Sequence, residues 1–572
     1  MTDRSVLHGI GVSAGTASGP AAVVTPPTGV DEAEPPSVDP EADGQRVREV
    51  LEQVAASLRE RAGLANSETS AAVLEATAAL ATDRGLIKGV ARQLQKGSGP
   101  TRAIFDAVEV YAAKLRKLGG YMAERVTDLY DIRDRAIARL RGVAEPGVPA
   151  LSRPSVLVAH DLAPAETATL DPALVRGIVT AGGGATSHTA ILAAQLGIPA
   201  AVQVKGIDAL LAGEGEVELA IDGGVGEVIV APTPDDVAEL EERSRRRAAA
   251  LAGSSGEGAT RDGHRVKLLA NIGTAADAAQ TAADAAQTAA ADIEGSGLFR
   301  TEFLFLDREA APSVEEQTAT YAEVLRSFDT RRVVVRTLDA GADKPLSFAD
   351  LGPEDNPALG RRGLRLSQAR EDLLDAQLSA LAAAHKLVPE ADLWVMAPMV
   401  TTVEETQWFA EKTRAHGLPR VGVMVETPAA AVRAKHLLAL VDFASIGTND
   451  LSQYTMAADR MEGELAHLLN PWQPAVLSMV RATCRGGEAT GKPVGVCGEA
   501  GGDPLLALVL VGLGVTSLSM APSRVGAVRA ALRSHDIDTC RQMANFAEDA
   551  PTAADARAAV LALADPVLRD LL

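Results

Sequence analysis

Between Gln45 and Arg141 apolar residues return at helical spacing. Val47, Val50, Leu51, Val54 and Leu58 stand at i, i+3, i+4, i+7 and i+11, one stripe of a helix. A second tract, AIFDAVEVYAAKLRKLGGYMAERVTDLYDIRDRAIARL, keeps that period and is expected to break or bend at Gly119-Gly120. On either side the pattern changes. GIGVSAGTASGPAAVV, before the block, alternates glycine with small β-formers and reads as tightly turning strands. TPPTGVDEAEPPSVDPEADG, which follows it, is Pro-rich and acidic, a linker by composition. From PSVLVAHDLAPAETATL to GEVELAIDGGVGEVIVAP short β-runs resume with short helices between them. This order predicts a helical bundle inserted into a small α/β domain.

TPDDVAELEERSRRRAAALAG reads as one charged, solvent-facing helix and is the candidate interdomain connector. The heptapeptide Thr-Ala-Ala-Asp-Ala-Ala-Gln then occurs twice, from Thr274 and Thr281, which an Ala-rich surface helix explains. After about Val266 eight apolar runs follow: VKLLAN, IEGSGLFR, RVVVRT, LWVMAPM, VGVMVE, DFASIG, PVGVC and TSLSM. Strands alternating with helices over that length predict a (β/α)8 barrel. The expected boundaries are 1–30 with 145–232 for the α/β domain, 31–144 for the helical insert, 233–262 for the linker helix and 263–572 for the barrel.

Composition narrows the function classes. At 572 residues the chain exceeds one domain, and its 47% hydrophobic content supplies real cores with only 3% aromatics. A net charge of −21 argues against nucleic acid or an anionic membrane surface and favours a small basic protein as partner. Cys484, Cys497 and Cys540 are widely spaced, which suits a reducing cytoplasm and not a disulfide framework. MTDRSVLHGIGVSAG has no basic region followed by an apolar one, so no secretory leader is expected, and no apolar run is long enough to span a bilayer.

The candidate chemistry sits where the apolar runs end: Asn271, Arg300 with Glu302, Arg336, Glu426, Asn449 with Asp450, and Cys497. Barrel active sites form at the C-terminal ends of strands, where core packing would call for apolar residues. Arg300, Arg336 and Arg460 would bring guanidinium forks to one rim, matching phosphate or carboxylate oxygens. Glu426 and Asp450 end neighbouring strands, and two carboxylates without His or Cys beside them suit Mg2+ or Mn2+. A small phosphorylated acid would satisfy both halves of such a site. Cys497 is either a small buried apolar residue or a proton donor at its strand end.

Outside the barrel, TAGGGATSHTAILAAQLGIPA places His188 between a glycine loop and a short apolar helix. The helix N-terminus favours anions and a neutral imidazole, which fits a phosphoryl carrier as well as a simple cap. Thr167, in LAPAET, is a candidate to fix the tautomer of that ring.

GGGATSHTAILAAQLGIPA resembles the phosphohistidine segment of the phosphoenolpyruvate-utilising enzymes. GLFRTEFLFLDR, VVVRTLDAGADKP, NPALGRRGLR, VGVMVETPAAA, IGTNDLSQYTMAADR and VGVCGEAGGDP resemble, in order, the blocks of their substrate barrel. Within that group the helical insert ending in YMAERVTDLYDIRDRAIARL resembles the Enzyme I branch. The resemblance implies a multidomain α/β protein: a swivelling phosphohistidine α/β domain with an inserted α-helical bundle, then a TIM-type (β/α)8 barrel. It implies that Mg2+, or Mn2+, sits on Glu426 and Asp450, that substrate lies against Arg300, Arg336, Asn449, Asp450 and Arg460, and that Lys344 supports it. His188 would take the phosphoryl group on Nε2, Cys497 would protonate the enolate, and a histidine of the carrier HPr, held by the insert, would receive the group. A cytoplasmic homodimer through the barrel is also implied.

Two departures stand out. Ala185 replaces an arginine common before Thr-Ser-His, and Thr77 stands where the insert often has histidine, with Asp83-Arg84 in place of an acidic run. A dikinase or synthase of the same group would need a nucleotide-binding domain ahead of GIGVSAG, and none is expected. An idle regulatory paralogue would be expected to have lost His188, an arginine or a metal carboxylate.

Overall fold

The computed structural model describes residues 4–571 apart from 26–28, 32, 64–67, 119–124, 144, 150, 163–169, 172, 184–188, 191–192, 194–195, 212–216, 253, 288–291, 307, 309, 342–345, 350, 353 and 461. The chain divides into two compact units, Met1–Arg245 and Arg246–Leu572.

The first unit combines one sheet with a group of helices. The strands β1 (Ser5–His8), β2 (Ile10–Ser13), β3 (Thr16–Val23), β4 (Ser155–Ala159), β5 (Val175–Thr180), β6 (Ala200–Val202), β7 (Glu218–Asp222) and β8 (Glu227–Val230) form a sheet in the order β1-β8-β7-β3-β4-β5-β6-β2. β3, β4, β5 and β6 run parallel, while β7 and β8 pair antiparallel as a hairpin. Both faces are covered. Val156, Val158 and Val179 point into one apolar layer, and Leu157, Ala159 and Ile178 into the other. That alternation is the period of two that a strand imposes.

Between β3 and β4 the chain leaves the sheet for a helical block that comprises, among the described residues, α1 (Pro40–Gly63), α2 (Glu68–Ala81), α3 (Arg84–Gln95), α4 (Pro100–Leu118) and α5 (Val126–Arg141). The apolar stripe Val47, Val50, Leu51, Val54 and Leu58 is buried against Leu74, Ile104, Val108 and Ile132. The bend expected at Gly119-Gly120 lies outside the described residues. Asp83 is the N-cap of α3, accepting from the N–H groups of Gly85 and Leu86 and from the Tyr111 hydroxyl. Thr77 is fully buried and hydrogen-bonds Asp128. The segment read as a linker is tied down at one point. The Glu34 carboxylate accepts from the Thr101 and Arg102 N–H groups and from the Thr101 hydroxyl, 2.7–3.3 Å away, so it caps α4 from outside the helix. A carboxylate there satisfies orphan donors and meets the positive end of the helix dipole.

A short helix, Asp208–Leu211, lies between β6 and β7; the long helix α6 (Pro234–Ala252) follows β8 and carries Asp235 and Asp236 in its first turn. The second unit is then a closed barrel of β9 (Lys267–Ile272), β10 (Gly295–Arg300), β11 (Arg332–Arg336), β12 (Asp392–Val400), β13 (Val421–Val425), β14 (Phe443–Ile446), β15 (Val494–Val496) and β16 (Ser517–Met520), all parallel, with β16 pairing back to β9. Each of the eight apolar runs supplies one strand. The duplicated heptapeptide falls mostly on the helix Ala275–Gln287, which follows β9; its Ala278 and Thr281 are buried. Inside the barrel Leu298, Val334, Trp394, Met396, Met424, Phe443 and Cys497 pack as a plug. The outer core lies between strands and helices, with Leu505 to Val511 buried all round their helix. Among the described residues no helix is long and apolar enough to cross a membrane.

Candidate active site in the barrel

The plug stops short of the C-terminal rim and leaves a cavity of about 500 Å³. Arg300, Arg336, Glu426, Asn449, Asp450, Arg460 and Cys497 all line it. Each arrives through local structure. Arg300 and Arg336 are the last residues of β10 and β11, and Glu426 follows β13 directly. Asn449 and Asp450 occupy the first turn of the helix Thr448–Met456 after β14, and Cys497 follows β15. Arg460 lies four residues past that helix, its N–H held by the Gln453 side chain at 3.0 Å. Thr167, His188 and Lys344 lie outside the described residues. Beside His188, Thr189 is buried and its hydroxyl donates to Asp161 at 2.9 Å. Asn271, singled out at the end of β9, instead donates to the Cys497 carbonyl at 3.0 Å and accepts from Ser519, joining strands.

Charges in the cavity alternate along a chain of contacts. Arg336 donates to Glu302 at 2.6 Å and meets Asp339 at 3.1 Å. Arg362 donates to both oxygens of Asp339, at 3.2 Å each, and to both oxygens of Asp450, at 2.9 and 3.1 Å. Arg460 stands 3.6 Å from Asp450. Glu302 also accepts from the Asp339 N–H, which fixes the turn after β11. Burial works against the charge on Arg336 and Arg362, but the facing carboxylates outweigh it and raise both further above the ordinary arginine range. The buried Nε–H of Arg336 has no hydrogen-bond partner among the described residues. An orphan cationic donor beside a cavity calls for an anion.

Glu426 is the carboxylate left over. It is 1% exposed, and its one hydrogen bond among the described residues comes from the Met399 N–H, 2.7 Å from Oε2. Gly447 lets the chain pass close by, since a Cβ there would stand 2.6 Å from Glu426 Oε1. Burial pushes this carboxyl well above the usual range, and Asp450 and Asp339 add to the shift against Arg336. Two carboxylates facing one cavity, one of them lacking a cationic partner among the described residues, fit a hard divalent cation. Cys497 is 1% exposed, with its thiol 3.7 Å from the Ile446 carbonyl. Burial pushes the thiol up to about 11, so it stays protonated at neutral pH.

Glu302 was visible at a strand end, but Asp339, Arg362 and Met399 were not singled out by the sequence pattern. Asp339 and Arg362 sit in loops, where no strand end marks them. Met399 acts through its backbone, at φ +55, which side-chain chemistry does not reveal.

A parallel barrel with arginines and a carboxylate pair at its strand ends has the chemistry to hold a small anion. Three family models match in turn: PEP-utilising enzyme, N-terminal, over residues 8–125; PEP-utilising enzyme, mobile domain, over 151–226; and PEP-utilising enzyme, PEP-binding domain, over 253–537. A phosphoenolpyruvate-protein phosphotransferase of Streptomyces coelicolor is 49% identical over 567 residues, covering 98% of this chain and 99% of the relative. One from Haloferax volcanii is 40% identical over 575 residues, covering 97% and 98%. A solution structure of an Enzyme I protein matches 42% of this chain and 98% of its own at 30% identity, with a TM-score of 0.36, so the sequence matches carry the assignment. The chain belongs to the phosphoenolpyruvate-protein phosphotransferases of the phosphotransferase system.

Proposed function

We propose that the barrel cavity binds phosphoenolpyruvate and that His188 receives the phosphoryl group before passing it to a histidine of HPr. The observation that carries this reading is the alternating ladder of Glu302, Arg336, Asp339, Arg362, Asp450 and Arg460 around one cavity. It fixes Arg336 and Arg362 between carboxylates and sets Arg460 beside Asp450. Phosphoryl transfer depends on positioning and charge neutralisation more than on covalent chemistry. Arg300, Arg336, Asn449 and Arg460 hold and orient the phosphate and carboxylate groups.

Mg2+, with Mn2+ as the alternative, would be held by Glu426 and Asp450; when bound it supplies positive charge beside the substrate oxygens. His188 attacks phosphorus through Nε2 as the bond from phosphorus to the enol oxygen breaks. Cys497 gives its proton to C3 of the departing enolate, which releases pyruvate and leaves a thiolate that water reprotonates. Thr167 orients the imidazole, and Lys344 adds charge near the substrate. In this reading α1–α5 bind HPr. The protein works in the cytoplasm, where its three buried free cysteines remain reduced, and as a homodimer through the barrel.

Single-turnover assays of pyruvate release and enzyme-bound phosphate test the roles separately. Cys497→Ala is expected to retain phosphorylation while pyruvate forms slowly. Arg336→Met and Asp450→Asn are expected to lose both. A Cys497→Ala enzyme with normal pyruvate release would reassign the proton donor.

A further inference from the structure

Arg362 meets Asp450 along one edge of the carboxylate: Nη1 donates to Oδ1 at 2.9 Å and Nη2 to Oδ2 at 3.1 Å. A guanidinium fork that takes both oxygens together covers the edge through which a carboxylate would chelate a cation. The fork has no room to turn away. Asp339 holds its other edge with two contacts of 3.2 Å each, and a Cβ on Gly341 would stand 2.9 Å from Arg362 Cβ. What remains to Asp450 is an outer lone pair on one oxygen. Glu426 is constrained in the same sense. β12 slips register between Ala397 and Val400, and in that bulge Met399, at φ +55, aims its N–H at Glu426 Oε2, 2.7 Å away.

We propose that Arg362, together with the Met399 N–H, restricts Asp450 and Glu426 to one oxygen each, so that the site selects Mg2+ or Mn2+ over Ca2+. This rests on reading Glu426 and Asp450 as the metal holders. Mg2+ demands octahedral geometry, keeps several waters and takes one or two carboxylates, which two single oxygens supply. Ca2+ gathers about six to eight oxygens and draws on carboxylates that chelate through both, which the covered edge of Asp450 denies it. Arg362 is thus a positioning residue that acts through Asp450.

The test measures ion binding to the metal-free full-length enzyme without substrate. Electron paramagnetic resonance follows Mn2+, and Ca2+ is read from the Mn2+ it displaces. The readout is the ratio of the two dissociation constants, which does not depend on the fraction of folded protein. The wild type is expected to favour Mn2+. Arg362→Lys keeps the charge but gives up the fork, so it is expected to move the ratio toward Ca2+ by about tenfold, the low end of what partners of metal ligands contribute. Arg362→Met is expected to move it at least as far. Lost support of the barrel would weaken both ions alike and leave the ratio in place, so an unchanged ratio in Arg362→Lys, with Mn2+ still bound, would overturn the proposal. A wild type that binds the two ions equally would do the same. A wild type that binds neither ion would instead remove the reading of Glu426 and Asp450 on which the proposal stands.

Discussion

Replacing Arg362 with methionine removes the centre of the charge ladder. Its guanidinium makes four contacts of 2.9–3.2 Å, two to Asp339 and two to Asp450, from a residue 1% exposed. Removing one partner of a buried ion pair costs about 3–5 kcal/mol, because the other charge stays buried without compensation. Here Asp339 keeps Arg336 and Asp450 keeps Arg460, so the low end applies, about 3 kcal/mol. That is roughly two decades in the folding equilibrium. Trp394, Trp408 and Trp472 are the protein's three tryptophans and all lie in the second unit, so fluorescence-detected urea unfolding reports on the barrel alone. At an m value of about 3 kcal/mol/M the midpoint falls by about 1 M. Asp450 also loses the fork that aligns it, and a misplacement near 1 Å costs about 100-fold in rate. Arg362→Lys places one charge where four bonds stood and falls between the two. A methionine variant with an unchanged midpoint would refute the claim that this arginine holds the cavity together.

Other consequences follow from the same structure. Glu426→Gln removes a carboxyl whose charged form burial disfavours, with Asp450 and Asp339 adding to this, so the metal-free protein is expected to melt at an equal or higher temperature than the wild type, while Mg2+ or Mn2+ stabilises the wild type only; calorimetry with and without the ions checks both. Gly363→Ala puts a Cβ at φ +59, 3.0 Å from Met399 Cβ and 3.3 Å from Asp339 Oδ1, and is expected to destabilise the barrel by about 1–2 kcal/mol in the same urea assay. Burial raises the thiols of Cys484 and Cys540 to about 12 and that of Cys497 to about 11, from an ordinary 9.0. The stability from burying them neutral is complete below pH 9 and is lost as pH rises through those values, so urea midpoints should fall between pH 9 and 12. For the same reason iodoacetamide at pH 8 should label none of the three in the native protein and all three in urea.

The barrel was legible because each strand is a short apolar run buried on both sides, and its site because polar residues interrupt the pattern where a core would want none. Glu426 and Asp450 could be read that way. Arg362 could not: it lies in NPALGRRGLR among several arginines, and only the fold shows which one is buried between two carboxylates. Composition marked the acidic linker but not its anchor. Glu34 resembles its solvated neighbours, yet it closes the N-terminus of α4 from 67 residues away. A long-range cap leaves no local signature. Thr77 shows the reverse, since a polar residue in an Ala-rich run faces the core and bonds Asp128.

The central claim is that a phosphoryl group moves from phosphoenolpyruvate to His188 and onward. Incubation with 32P-labelled phosphoenolpyruvate and Mg2+, beside His188→Ala and followed by HPr, tests it most directly. Acid-labile label is expected on the wild type alone, passing to HPr on its addition. Label retained by His188→Ala, or no label on the wild type, would contradict it.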